Sequence, residues 1–143
     1  MLFAARCRRN TVSDSSLVCP RCRLSLDPDS YEGAPVHRCA GCWGYWVSAS
    51  SLGTILTAQE EVFSKAERQQ AMDRVAEDPS SEEPLACLAC GRSMIKRVVL
   101  GSVLVDACPG HGAWLDTGEI KSLQVLAEID DAVRRWLLEK MGC

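Results

Sequence analysis

Eight residues in this chain have the types and spacing to bind metal. Cys87-x2-Cys90 is followed after seventeen residues by Cys108-x2-His111, and the pattern occurs earlier as Cys19-x2-Cys22, sixteen residues, then Cys39-x2-Cys42. Each x2 pair offers two donors from one tight turn, and four such donors suit a tetrahedral zinc ion. The expected cofactor is therefore Zn2+, two per chain. A complete four-ligand shell leaves no position for an activated water, so both metals are expected to be structural and the chain is not expected to be an enzyme.

Other chemistries fit the same residues less well. Paired CxxC knuckles also hold rubredoxin-like iron, but His111 breaks that match in the second site and favours zinc there. Thiol exchange would need a βαβ context, which neither copy has. His37, two residues before Cys39, breaks the x2 geometry and reads as an edge-strand histidine rather than a substitute ligand. Asp116 and Glu119 resemble a carboxylate pair, yet their spacing is that of a helix capping box, with Asp116 accepting from first-turn amides and Glu119 reaching back. No catalytic residue is expected.

The repeat extends past the ligands. Trp46 and Trp114 are sixty-eight residues apart, as are Cys19 and Cys87, and WVSASSL (46–52) stands against WLDTGEI (114–120). With CPRC, CAGCWGYW and CPGHGAWLDTGEI, the chain resembles the transcription factor zinc-finger family, whose zinc ribbon is similar to that of transcription initiation factor IIB. The resemblance covers roughly residues 18–56 and 86–124, more closely in the second copy. Two departures stand out. His111 occupies the place of the usual fourth cysteine, one residue nearer its tryptophan, and Ser48 stands where the first copy should carry an acidic residue. The resemblance implies a partner in the transcription machinery, although many members of the family have no assigned role.

The elements that must position these ligands follow. The fold class expected is a small, metal-stabilised α+β protein: tandem zinc ribbons with β-hairpin knuckles, each followed by an amphipathic helix. Residues 1–17 read as a disordered tail, 18–48 as the first ribbon, 49–77 as a helix, 78–85 as a linker, 86–115 as the second ribbon and 116–143 as a C-terminal helical segment. In the first ribbon, Asp27-Pro28-Asp29 and Gly33-Ala34-Pro35 read as turns. In the second, Met94-Ile95 and Val98–Leu100, a Gly101-Ser102 turn and Val103–Val105 read as a hairpin, with Trp114 covering hairpin and metal. The first helix is expected from about Ser50 to Ala76, its apolar stripe formed by Leu52, Ile55, Leu56, Phe63, Ala66, Met72 and Val75. The second starts near Asp116 and runs through Ile120, Leu123, Leu126, Ile129, Val133, Trp136 and Leu137, with a break at Asp130-Asp131.

Two ribbons divide 143 residues into units too small to be stable by burial alone. Structural zinc offsets this, contributing roughly 10–16 kcal/mol in finger peptides. Nine cysteines could mark a secreted disulfide scaffold, but Met1–Ala5 is apolar for only five residues before Arg6, Arg8 and Arg9. A reducing cytoplasm and metal-bound thiolates are the expectation, with Cys7 and Cys143 left over and no membrane span.

Metal-bound thiolates take the formal charge of −3 to about −6. That charge disfavours a phosphate track, since the basic residues near the second hairpin are only Arg92, Lys96 and Arg97 and the arginines at the N-terminus read as a solvated end. The function expected is a protein-interaction or regulatory adaptor, docking through its helices or the Trp-bearing ribbon edge. The apolar stripes of the helices are expected to pack on each other, on a second copy as a homodimer, or on the protein partner. A transcription-related, nucleic-acid-binding factor is the alternative.

Overall fold

A computed structural model describes residues 17–57, 63–80 and 82–141. In chain order the elements are β1 (Asp27–Tyr31), β2 (Ala34–Arg38), β3 (Tyr45–Ser48), α1 (Ala49–Thr57), α2 (Lys65–Asp73), β4 (Ile95–Val99), β5 (Val103–Cys108), β6 (Gly112–Leu115), α3 (Glu119–Ile129) and α4 (Asp131–Met141). The result is a small α+β fold with one antiparallel sheet of order β1-β2-β3-β6-β5-β4 and, among the described residues, four helices. None of those helices is long and apolar enough to cross a membrane.

The strand order is a palindrome of the sequence repeat. A shift of sixty-eight residues carries β1 onto β4, β2 onto β5 and β3 onto β6, and the isolated bridge Val18 to Ser25 onto Ala86 to Ser93. At the centre β3 pairs with β6 in a register that sets Trp46 opposite Trp114. These two residues are themselves equivalent, so a local two-fold axis passes between them.

Directly opposed residues share a face of the sheet. His37, Trp46, Trp114, Asp106 and Lys96 form one row across it, on the face that carries the metal-binding loops. The opposite face presents Val36, Val47, Val103, Val105, Ala107, Ala113 and Leu115 to α1, α3 and α4, which cover it with Leu52, Ile55, Leu56, Ile120, Leu123, Leu126 and Leu137. Both halves contribute to this one core. Neither is left to stabilise a ribbon-sized unit by itself, which differs from the expectation of two separately small units and follows from the β3–β6 pairing.

Other local expectations need correction. The helix expected over 49–77 is two helices, because Ser64 starts α2 with a capping box, accepting from the Glu67 amide while Glu67 returns a bond to the Ser64 amide. This resets the helical phase. Phe63 and Ala71 pack on Val125 of α3, whereas Ala66, Met72 and Val75 are exposed and do not continue the stripe. In the first ribbon Asp27-Pro28-Asp29 lies within β1, at the sheet edge where a missing amide donor is tolerated, and the turn falls at Glu32-Gly33. Both turn residues have positive φ, as a primed hairpin turn requires. The second hairpin and the break between α3 and α4 lie where the sequence places them, with Asp130 Oδ1 accepting from the Ala132 amide. Leu17, assigned to the tail, is buried beside the first metal cluster. The rest of that expected tail, Cys7 and Cys143 lie outside the described residues.

Candidate metal centres

Each cluster is built from two loops that fold back on their own first residue. In the first, Cys19 receives a backbone bond from Arg23 and donates to Leu24, while Cys39 receives one from Trp43 and donates to Gly44. The second repeats the first loop with Gly91 and Arg92 around Cys87. Its other loop is one residue shorter, closing with a bond from the His111 amide to the Cys108 carbonyl next to the β5–β6 pairing of Cys108 with Gly112. The missing residue is recovered upstream. The β4–β5 turn has three residues, Leu100 to Ser102, against two in the β1–β2 turn, so β6 regains the register that sets Trp114 against Trp46.

The structure brings together every ligand expected from the spacing: Cys19, Cys22, Cys39 and Cys42 in one cluster, and Cys87, Cys90, Cys108 and His111 in the other. Within each cluster the donor atoms all lie within 4.8 Å of one another. A tetrahedron with metal–sulfur bonds of about 2.3 Å has sulfur–sulfur edges of roughly 3.8 Å. The Cys19–Cys42 and Cys90–Cys108 sulfur pairs are each 3.7 Å apart, and His111 Nδ1 stands 3.3 Å from Cys108 Sγ and 3.8 Å from Cys87 Sγ. Both clusters therefore fit a tetrahedral metal ion. His37 is not part of the first.

Backbone amides point at three of the sulfurs. Cys19 Sγ accepts from the amides of Arg21 (3.4 Å) and Cys22 (3.2 Å), Cys39 Sγ from Gly41 (3.4 Å) and Cys87 Sγ from Ala89 (3.4 Å). Burial pushes the Cys42 and Cys108 thiols up to about 12. At Cys39 burial is outweighed by bonds from the Cys42 and Gly41 amides, and that thiol lies at about 7. Four adjacent donors do not all ionise unaided, so a bound dication would supply the missing charge and its binding would expel protons. With all four tetrahedral positions taken by protein donors, the chemistry on offer is cross-linking of loops rather than activation of a water.

Trp114 is fully buried in a cluster with Trp46, Met94, Cys19, Cys39 and Cys87. That cluster takes in ligands of both sites, and the Trp114 ring lies against Gly44 beside the first. Its Nε1 donates to Asp116 Oδ1 at 3.1 Å. Only half of the expected capping box is present: Glu119 Oε2 accepts from the Asp116 amide at 2.7 Å, but the Asp116 carboxylate is held by two of the Arg21 nitrogens, Nε at 2.7 Å and Nη2 at 2.9 Å. α3 instead begins at Gly118, with no side-chain cap, whereas in the first half Ser48 Oγ accepts from the Ser51 amide at the start of α1.

The expected linker carries a feature that linear reasoning missed. Glu82 accepts two bonds from Arg21 (2.6 and 2.9 Å) and one from Lys96 (2.7 Å), and Lys96 also bonds buried Asp106 at 2.5 Å. The Arg21 guanidinium holds the Glu82 carboxyl down at about 2, while burial pushes the Asp106 carboxyl upward against the pull of Lys96. Nothing in the order of residues pairs Arg21 with Glu82 or Asp116; only the folded sheet does.

No family model, curated protein or solved structure matches the chain.

Proposed function

We propose that this protein is a zinc-binding, non-catalytic tandem zinc-ribbon adaptor, which docks to another protein through the ribbon edge beside its first metal cluster. The eight-ligand donor set supports zinc: thiolates dominate both clusters, and imidazole in the second suits zinc better than rubredoxin-type iron. Metal-bound thiolates of this kind persist in a reducing cytoplasm.

One observation carries the docking surface. Trp43, Leu24 and Val18 lie beside the first cluster with 54%, 49% and 42% of their surface exposed. The equivalents of Leu24 and Val18 sixty-eight residues later are Arg92 and Ala86, and Trp43 is the residue that the shorter second loop of the other half lacks. The second half thus has a charge, a methyl group and no residue at these places, while the first half exposes a large apolar surface. Trp43 keeps its place at φ 61°, strained for a bulky residue, with the Arg38 guanidinium 4.5 Å from its ring centroid. The helical faces support docking less well, because the sheet and neighbouring helices cover them.

The transcription-related alternative rests on the resemblance of the motifs, and nucleic-acid contact would need a free basic surface. Of the three basic residues near the second hairpin, Lys96 is bound to Glu82 and Asp106, and Arg97 stacks over Trp136 with 4.7 Å to the centroid.

The test is a paired capture from native lysate with wild type and Trp43→Ser/Leu24→Ser, both loaded with two zinc ions by elemental analysis. A partner held by wild type and lost by the variant supports the reading. Sedimentation tells a second copy from a different protein. Submicromolar binding to single-stranded or duplex nucleic acid at about 150 mM salt, lost on Arg92→Ala, would overturn the ranking.

A further inference from the structure

We propose that the two metal centres load as one cooperative unit, because each metal-binding loop is held in shape by residues of the opposite half. This rests on the reading that both clusters hold a metal.

Two pairs of contacts and one unpaired link cross the local two-fold axis, and all of them land on metal-binding loops. The Trp114 ring lies against Gly44, whose carbonyl closes the first site's second loop by accepting from the Cys39 amide. The Trp46 ring lies against Gly112, directly after His111. A methyl group added to Gly44 would collide with the Trp114 ring, and one added to Gly112 would strike the Val47 carbonyl and press on the Trp46 ring at 3.0 Å, so each ring packs where a side chain is missing. Thr117 Oγ1 of the second half donates to the carbonyl of the ligand residue Cys42 at 2.6 Å. Its equivalent Ala49, in the first half, donates its amide to the carbonyl of the ligand residue His111 at 3.0 Å. Glycines 44 and 112, tryptophans 46 and 114, and residues 49 and 117 are each sixty-eight apart. A third link has no symmetric copy: Arg21, inside the first CxxC loop, grips Asp116 of the second half with two nitrogens.

The consequence is thermodynamic. A loop that loses its metal loses the constraint that keeps its carbonyl and glycine in place, and those are the acceptor and the floor used by the other half. The other half's tryptophan and helix start lose their support, and with them the positioning of the second set of ligands. Coupling of this kind is reciprocal, so each metal raises the affinity for the other by the same factor. Thr117 is then a positioning residue for a metal it never touches, comparable to the outer-shell groups whose loss costs 10–100-fold in affinity. The apolar surface beside the first cluster would likewise depend on the metal in the second.

Native mass spectrometry of the reduced full chain, stepped from zero to two equivalents of zinc, tests the proposal directly. The expected spectrum at one equivalent contains metal-free and two-zinc protein with little one-zinc species. A dominant one-zinc species would overturn the coupling and leave the zinc reading intact; fewer than two zinc ions at saturation would overturn both. As a second measure, Thr117→Ala keeps all eight ligands and is expected to weaken zinc retention by the first cluster about tenfold in competition with a chromophoric chelator. Thr117→Ser should restore it. Unchanged retention in Thr117→Ala would count against the proposal even where every variant folds.

Discussion

The two metal clusters answer the same geometric demand with different chain. The first uses four cysteines, a two-residue hairpin turn and a longer second loop; the second uses three cysteines and a histidine, a three-residue turn and a shorter loop. The difference teaches what is held constant. Donor atoms must converge on one point, and β3 must meet β6 with Trp46 opposite Trp114, while the residues between are free to shift by one if the shift is undone before the central strand. The clusters also differ in exposure: Cys19 and Cys39 are buried in the first, whereas Cys90 of the second is exposed.

The largest effect tests that difference in exposure. Cys39→Ser removes a thiolate and leaves a hydroxyl in a closed cluster, and its cost should match the whole stability of a domain, about 5 kcal/mol or more. Cys90→Ser should cost less, since Cys90 is exposed and a water can take the place of its sulfur while the second metal stays bound. Thermal denaturation by circular dichroism in excess zinc measures both, and equal melting temperatures would erase the distinction.

The glycines that receive the exchanged tryptophans come next. Gly112→Ala drives a methyl into the Val47 backbone carbonyl as well as the Trp46 ring, whereas Gly44→Ala meets only the Trp114 ring. Overpacking of this kind costs about 1–3 kcal/mol. Urea unfolding should place Gly112→Ala at or above the top of that range and Gly44→Ala within it; the reverse order would contradict the crossed packing.

A pH effect separates the halves further. Glu119 is buried and its carboxyl is pushed up by that burial to about 7, while the equivalent Ser51 donates its hydroxyl to the Pro35 carbonyl at 2.5 Å and has no charge to lose. The folded state therefore holds a proton that the unfolded chain releases near pH 4.5, so this residue's contribution to stability falls as pH rises from about 4.5 to 7. Glu119→Gln keeps an acceptor for the Asp116 amide and removes the titration. The variant's advantage should grow between pH 5 and 7 to about 2–3 kcal/mol and then level off, measured as the difference in unfolding free energy from wild type. A pH-independent difference would show that Glu119 is charged throughout.

The smallest effect concerns Trp43. It is half exposed and strained, so Trp43→Asn, which tolerates positive φ, should change stability by less than about 0.5 kcal/mol while removing the proposed docking surface. A loss of several kcal/mol would mean that the indole supports the first cluster.

Much of the site could be read from residue order because its rules are local. An x2 spacing puts two donors on one turn, so the eight ligands were legible, as were the second hairpin and the break at Asp130, each set by turn and capping chemistry within a few residues. The helix over 49–77 misled because its periodicity carried on in good helix formers past Ser64, although the Ser64-x-x-Glu67 spacing within the same stretch is the local signature of a new helix start.

What the sequence determined by itself was the pair of ligand sets and the repeat of sixty-eight residues that relates them. What only the tertiary structure decided was that the copies join edge to edge through β3 and β6 into one sheet, exchange tryptophans, and turn Asp116 from a helix cap into the partner of Arg21. The physical reason is that such contacts depend on which apolar faces are buried together, and on hydrogen-bond donors and acceptors that meet across nearly seventy residues. Local propensity favours neither partner over another until the shared core is formed.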